Sequence, residues 1–186
     1  MPLKLMYITN SPAIALIAEH AGVDRIFVDM EYIGKAARQE GLDSVQNRHT
    51  VEDVKAIRKV LTRADLLVRV SPVHEQTKEY CSSVEETNAV IDAGADIVML
   101  PFFKTVNKVK WFITFVDSRA KVSLLMETPE AVAMTDRIVT IPGIDEIHIG
   151  LNCFAMAQLK SFASNSNIPA SLTDLAESVQ SVRGYW

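Results

Sequence analysis

The sequence predicts an α/β chain whose strands run parallel and curl into a (β/α)8, or TIM, barrel, incomplete at about six β/α units. Three observations predict it. Short apolar runs alternate with capped amphipathic stretches up to Asn152, the pattern of parallel strands with helical crossovers. Polar residues recur at the ends of these runs, at Asp29, Arg69, Glu127 and Asn152, where a barrel gathers its chemistry. The length of 186 residues falls short of the roughly 250 of a complete barrel. A doubly wound open sheet fits the same alternation. It lacks its phosphate-binding turn here, because no GxGxxG follows the first strand;.

The elements follow in order. LKLMYI (Leu3–Ile8) reads as a strand, and Ser11 before Pro12 starts a helix that Gly22 closes;. DRIFVDM (Asp24–Met30) is the next strand. A polar connection from Glu31 to His49 is long for a loop, and long loops of this kind usually carry function or disorder;. Thr50 and Asp53 cap VEDVKAIRKVL, and DLLVRV (Asp65–Val70) is the third strand;. SSVEETNAVIDAG is a capped helix ending at Gly94, ADIVMLP (Ala95–Pro101) a strand stopped by proline;. TVNKVKWFITFVDS is a helix, AKVSLLME (Ala120–Glu127) a strand, and TPEAVAMTDRIVTIPG a helix with proline at its start;. IDEIHIG is the sixth strand. After Asn152 no further strand is legible; FASNSNIPAS reads as loop and SLTDLAESVQSV as a helix. The domain division is therefore 1–153, an incomplete barrel, and 154–186, a divergent tail.

Composition narrows the partners. Apolar residues make up 48% and charged residues 23%, with a formal charge of −4. That is an ordinary globular balance, with no basic surplus for nucleic acid or an anionic membrane. No apolar run approaches the roughly 18 residues of a membrane span. Cys81 and Cys153 do not make a disulfide framework;. A reducing cytoplasm is the expected compartment.

Glu127 stands where an apolar strand meets a helix start, as an acid favoured by the helix N-terminus or as a ligand for a hard divalent cation. Arg69 lies within a strand that reads as central, where an unpaired charge is costly. It either binds a carboxylate or developing enolate oxygen, or forms a buried ion pair with Asp29 or Glu31. Asp29 and Glu31 point the same way on an extended segment and suit either that pairing or a metal. Of the four histidines, His20 reads as a surface or capping residue and His74 as part of a charged loop. His148 reads as a satisfied interior residue, and only His49 as an acid or base at the active rim. No HxH, CxxC or HExxH spacing supports zinc;.

With these residues in hand, the chain resembles the HpcH/HpaI aldolase and citrate lyase family. The resemblance rests on FVDMEY, LLVRV, VIDAGADIVMLP, LLMETPEA and IDEIHIGLN in that order, from about Leu5 to Asn152. It implies an oligomeric barrel that uses Mg2+, Mn2+ or Co2+ and makes or breaks a carbon–carbon bond beside a pyruvate-like enolate. The substrate so implied is a small 2-oxo acid or aldehyde. By the same resemblance Glu127 is a metal ligand and Arg69 binds the oxo or enolate oxygen. Glu31 is the acid after the second strand, Asp92 an acid that orients a base, and Asn152 a substrate-binding residue. Two positions depart from the family pattern. Tyr32 stands where the aldolases carry a histidine, leaving a water, Tyr32 or His49 as substitutes. Cys153 stands where the second metal-binding carboxylate is expected, and a thiolate suits Mg2+ poorly. Three readings follow: a metal-dependent lyase; an impaired fragment or relic with an unrelated, frame-shifted tail; and a citrate lyase β-like acyl-CoA lyase. An incomplete barrel exposes strand edges and apolar surface, which predicts a homo-oligomer.

Overall fold

The computed structural model describes residues 4–34 and 48–150. Six strands form a single parallel sheet in the order β1 to β6: Met6–Ile8, Arg25–Asp29, Asp65–Arg69, Ile97–Leu100, Lys121–Met126 and Glu146–Ile149. Helices α1 (Pro12–His20), α2 (Val51–Arg58), α3 (Ser83–Asp92) and α4 (Val106–Val116) fall between them, and α5 (Pro129–Ala133) and α6 (Thr135–Ile138) lie between β5 and β6. The sheet curls into a half-barrel. This is the incomplete (β/α) barrel that the sequence predicts, with strand ends trimmed by one to three residues at a time. The boundary at 153 and the tail 154–186 lie outside the described residues.

Local chemistry sets the helix starts. Thr50 and Asp53 form a reciprocal capping box, as do Ser82 and Glu85, and the Ser11, Thr105 and Thr128 hydroxyls each accept a first-turn amide;. The stretch after Glu127 is not one helix. It breaks at Met134, whose backbone is not helical and which caps α6 without a side-chain bond. Gly94 closes α3 at φ +102°, and a Cβ there would stand 2.6 Å from Cγ of Arg58. Arg58 uses that gap to reach Asp96 at 2.7 Å.

Strand alternation sorts the residues onto two faces. Ile26, Val28, Leu66, Val68, Val98, Leu100, Val122, Leu124 and Met126 form the outward core with the helices. Leu67, Ile97, Met99 and Leu125, with Met6 and Phe27 packed on them, line the concave inner face. That second, smaller cluster forms the floor above which the polar strand tips gather. Among the described residues no helix is long and apolar enough to cross a membrane.

Candidate active site

The inner face ends in charge at the C-terminal rim. Arg69 closes β3 and Asp29 closes β2, and the two are register partners. The guanidinium donates from Nε to Oδ1 and from Nη2 to Oδ2 of Asp29, both at 2.8 Å. Oε2 of Glu31 lies 3.5 Å from the same Nε, and the Phe27 ring lies under the guanidinium, 5.5 Å from its centroid. Burial works against the charge on Arg69. The Asp29 hydrogen bonds and the charges of Asp29, Glu31 and Glu127 outweigh it and raise the pKa above the ordinary value;. Of the two readings of Arg69 the structure shows the buried pair, in which two of its five N–H donors hold Asp29;.

Glu127 follows β5 directly and is buried. Its Oε1 accepts the amide of Phe102 at 2.9 Å. Phe102 reaches that position at φ +46°, a left-handed backbone that is an outlier for a bulky side chain. Gly150 lies on the other side, where a Cβ would stand 3.0 Å from Cβ of Glu127 and 3.7 Å from its Oε2. Glycine thus lets β6 close up against the Glu127 side chain, and Oε2 accepts no hydrogen bond among the described residues.

His49 is buried just before α2. Its Nδ1 lies 3.0 Å from the backbone N of Asp29. An amide only donates, so Nδ1 accepts and the neutral ring carries its proton on Nε2. Tyr32 is half-buried beyond the tip of β2. Burial, then the charges of Asp53, Asp29 and Glu86, push its phenol up to about 12 against a smaller opposing effect of Arg48. It is a hydrogen-bond donor at neutral pH and does not supply the base that the missing histidine would.

The structure therefore brings Arg69, Glu31, His49 and Glu127 to one rim. It does not bring Asp92 there. Asp92 is the exposed last residue of α3, and the chain runs from it through Gly94 into the start of β4, the opposite end of the sheet. Asn152 and Cys153 lie outside the described residues. Sequence reasoning passed over Glu86. From α3 it accepts the Ser71 amide at 3.1 and 3.2 Å, and burial pushes its carboxyl up while that bond and the charge of His74 pull it down. A glutamate inside a capped helix gives no signal of this in sequence.

The model of the HpcH/HpaI aldolase/citrate lyase family matches residues 4–167. The chain belongs to this family. The match continues past Asn152, where the sequence reading ends the resemblance, so at least residues up to 167 carry family pattern. No curated protein matches. Among solved structures, an HpcH/HpaI aldolase from Desulfitobacterium hafniense DCB-2 superposes with a TM-score of 0.59 at 13% identity, over 98% of this chain and 84% of that one. A family protein from Burkholderia cenocepacia J2315 gives 0.64 at 18% identity, over 96% and 73%. The citrate lyase beta subunit from M. tuberculosis, solved with oxaloacetate and magnesium, gives 0.54 at 15%, over 96% and 70%. At these identities the likeness is one of fold.

Family membership raises the question of a divalent ion. Among the described residues no three His, Cys, Asp or Glu side chains come together as a cage. Mg2+ does not need one, since it commonly takes one or two carboxylates and completes its shell with water and substrate oxygens. The Glu127 carboxylate, with Oε1 fixed by Phe102 and Oε2 without a hydrogen bond among the described residues, fits that role. Asp29 is committed to Arg69.

Proposed function

We propose that the chain is a metal-dependent carbon–carbon lyase that cleaves or forms a bond next to a pyruvate-like enolate. The observation that carries this reading is the sharing of one concave rim by a fixed guanidinium, Arg69, and a carboxylate, Glu127, that is held by a backbone amide at one oxygen only. Oε2 of Glu127 would hold Mg2+, or Mn2+ or Co2+ in its place. When bound, the ion supplies a Lewis acid to the ketone oxygen. Arg69 keeps the Nη1 edge for the carboxylate or enolate oxygen of a 2-oxo acid, and Asp29 and Glu31 hold that edge in place. The apolar floor of Leu67, Met99 and Leu125 keeps water from the reacting carbon.

A second reading, a catalytically impaired relative, is favoured by the single carboxylate that the described residues offer a metal and by Cys153. One experiment separates the two. The lyase reading expects Mn2+ binding by paramagnetic resonance and divalent-dependent pyruvate release from oxaloacetate or a 4-hydroxy-2-oxo acid, both lost in Glu127→Gln. Wild-type chain with neither binding nor turnover abandons the lyase reading, and recovery of binding by Cys153→Asp would then identify the impaired relative. We further propose that the chain acts in the cytoplasm and as a homo-oligomer. Apolar side chains exposed on β1 and α1, among them Tyr7, Ile14 and Ile17, support the oligomer.

A further inference from the structure

The inner face of β6 carries a histidine that the site above does not use. Glu146, His148 and Gly150 alternate onto the same face of β6. Glu146 pairs there with Arg25, and Gly150 abuts Leu125 and Glu127. His148 lies between them, in register with Leu125 of the concave floor. The residue is exposed in part on this inner face. Among the described residues its nitrogens have no hydrogen-bond partner, whereas Arg25, Asp29, Arg69, Glu127 and Glu146 on this face are each paired or hydrogen-bonded.

We propose that His148 is the proton-transfer residue of this site, the base that takes a proton from the substrate above the Leu67–Leu125 floor. The inference rests on the lyase reading. Other groups are poorly suited to the task. Tyr32 holds its proton to about pH 12. His49 is buried, with Nδ1 taken by the Asp29 amide. Glu31 faces Arg69. The charged groups that face His148 are Arg69 from β3, Arg25 from β2, Glu127 from β5 and Glu146 on its own strand. Desolvation first, then the two guanidiniums, hold its pKa below the ordinary histidine value, and the two carboxylates pull the other way;. The ring is therefore neutral and basic at pH 7.

In the cleavage direction the imidazole takes the proton of the adduct's 4-hydroxyl. The C3–C4 bond breaks, its electron pair becomes the enolate facing Arg69, and an aldehyde leaves. The imidazolium returns the proton to C3, giving pyruvate and restoring the neutral ring. No oxidant or reductant enters. Run on pyruvate alone, the same base removes a methyl proton and returns a deuteron from D2O.

That half-reaction is the test. In D2O with Mn2+, wild-type protein is expected to exchange the methyl protons of pyruvate, read by NMR. His148→Gln is expected to bind Mn2+ and pyruvate within about 3-fold of wild type and to exchange about 100-fold or more slowly, the usual scale of a lost general base. Imidazole added to His148→Ala is expected to restore part of the rate. Should the variants fail to fold, the wild-type exchange rate against pH decides, with an acid limb expected below the ordinary histidine range. Exchange by His148→Gln at the wild-type rate, or a wild-type rate with no acid limb, overturns the proposal. So does wild-type protein that binds Mn2+ and pyruvate without exchanging, which leaves the binding half of the lyase reading standing. Absence of Mn2+ and pyruvate binding in wild type removes the lyase reading, and the assignment of His148 with it.

Discussion

Arg25 at the start of β2 reaches across the concave face to Glu146 at the start of β6, donating from Nη1 and Nη2 to the two carboxylate oxygens at 2.7 and 2.8 Å. Three strands separate β2 from β6 in the sheet. Side chains can bridge that span only because the sheet curls. The pair fixes the end of the half-barrel opposite the rim, with Asp65 at 3.6 Å as a secondary partner of Arg25. Replacing Glu146 by alanine leaves a mostly buried guanidinium with its weaker partner alone. The expected loss is about 2 kcal/mol, below the range for fully buried pairs because Glu146 is partly exposed. Urea unfolding of Glu146→Ala checks it, and an unchanged midpoint would show that the bridge does not hold the curl.

At the other end, Asp29→Asn tests the geometry of Arg69. The amide keeps one acceptor, but its NH2 faces a guanidinium that only donates. Glu31 at 3.5 Å is then the nearest carboxylate. Stability is expected to fall by about 3 kcal/mol. Pyruvate affinity, read by calorimetry, is expected to fall about 10-fold while Mn2+ affinity holds. Equal loss of both ligands would mean that Asp29 supports the whole rim instead of Arg69.

The exposed face of β1 and α1 yields a third prediction. Ile17 is 67% exposed, with Ile14 of the same helix at 44% and Tyr7 of β1 at 47%. Exposed apolar side chains of this kind support the proposed contact between molecules. Ile17→Ser is expected to shift sedimentation toward smaller species with a change in unfolding free energy within about 0.5 kcal/mol. Unaltered association would place the oligomer contact elsewhere.

How much of this was legible in the sequence follows from the range of each interaction. The capping boxes at Thr50–Asp53 and Ser82–Glu85 are local, and three residues suffice to read them. Strand β4 is an apolar run buried at every position. The pattern that marks Arg69 and Glu127 as strand tips is also local. Their partners are not. Arg25 and Glu146 lie 121 residues apart, and the close approach of β6 to Glu127, which needs a residue without a side chain at Gly150, is revealed only by the β5–β6 register. Asp92 shows the converse limit. An acid inside a matching motif looked functional, yet the αβ connection carries it to the far end of the sheet. His148 read as an interior histidine because alternation gives its face but not its exposure.

Glu19 makes a further contact invisible in sequence, and it carries the pH dependence of the fold. From the end of α1 its buried carboxylate accepts the amides of Thr62, Arg63 and Ala64 at 2.9, 2.7 and 2.8 Å and the Thr62 hydroxyl at 3.1 Å. Burial alone would raise its pKa. The four donors outweigh burial and hold it at about 2, against an ordinary 4.5;. A carboxyl lowered on folding stabilises the folded state fully above the unfolded-chain value, and that contribution fades as the pH falls from about 4.5 toward 2;. Glu19→Gln keeps one acceptor for these donors and is expected to cost about 3 kcal/mol at pH 7. The gap between wild type and variant is expected to shrink as the wild-type carboxyl protonates. Urea unfolding of both proteins at pH 7 and at pH 3 measures it, and a gap that does not narrow at pH 3 would mean that the loss comes from packing and not from charge.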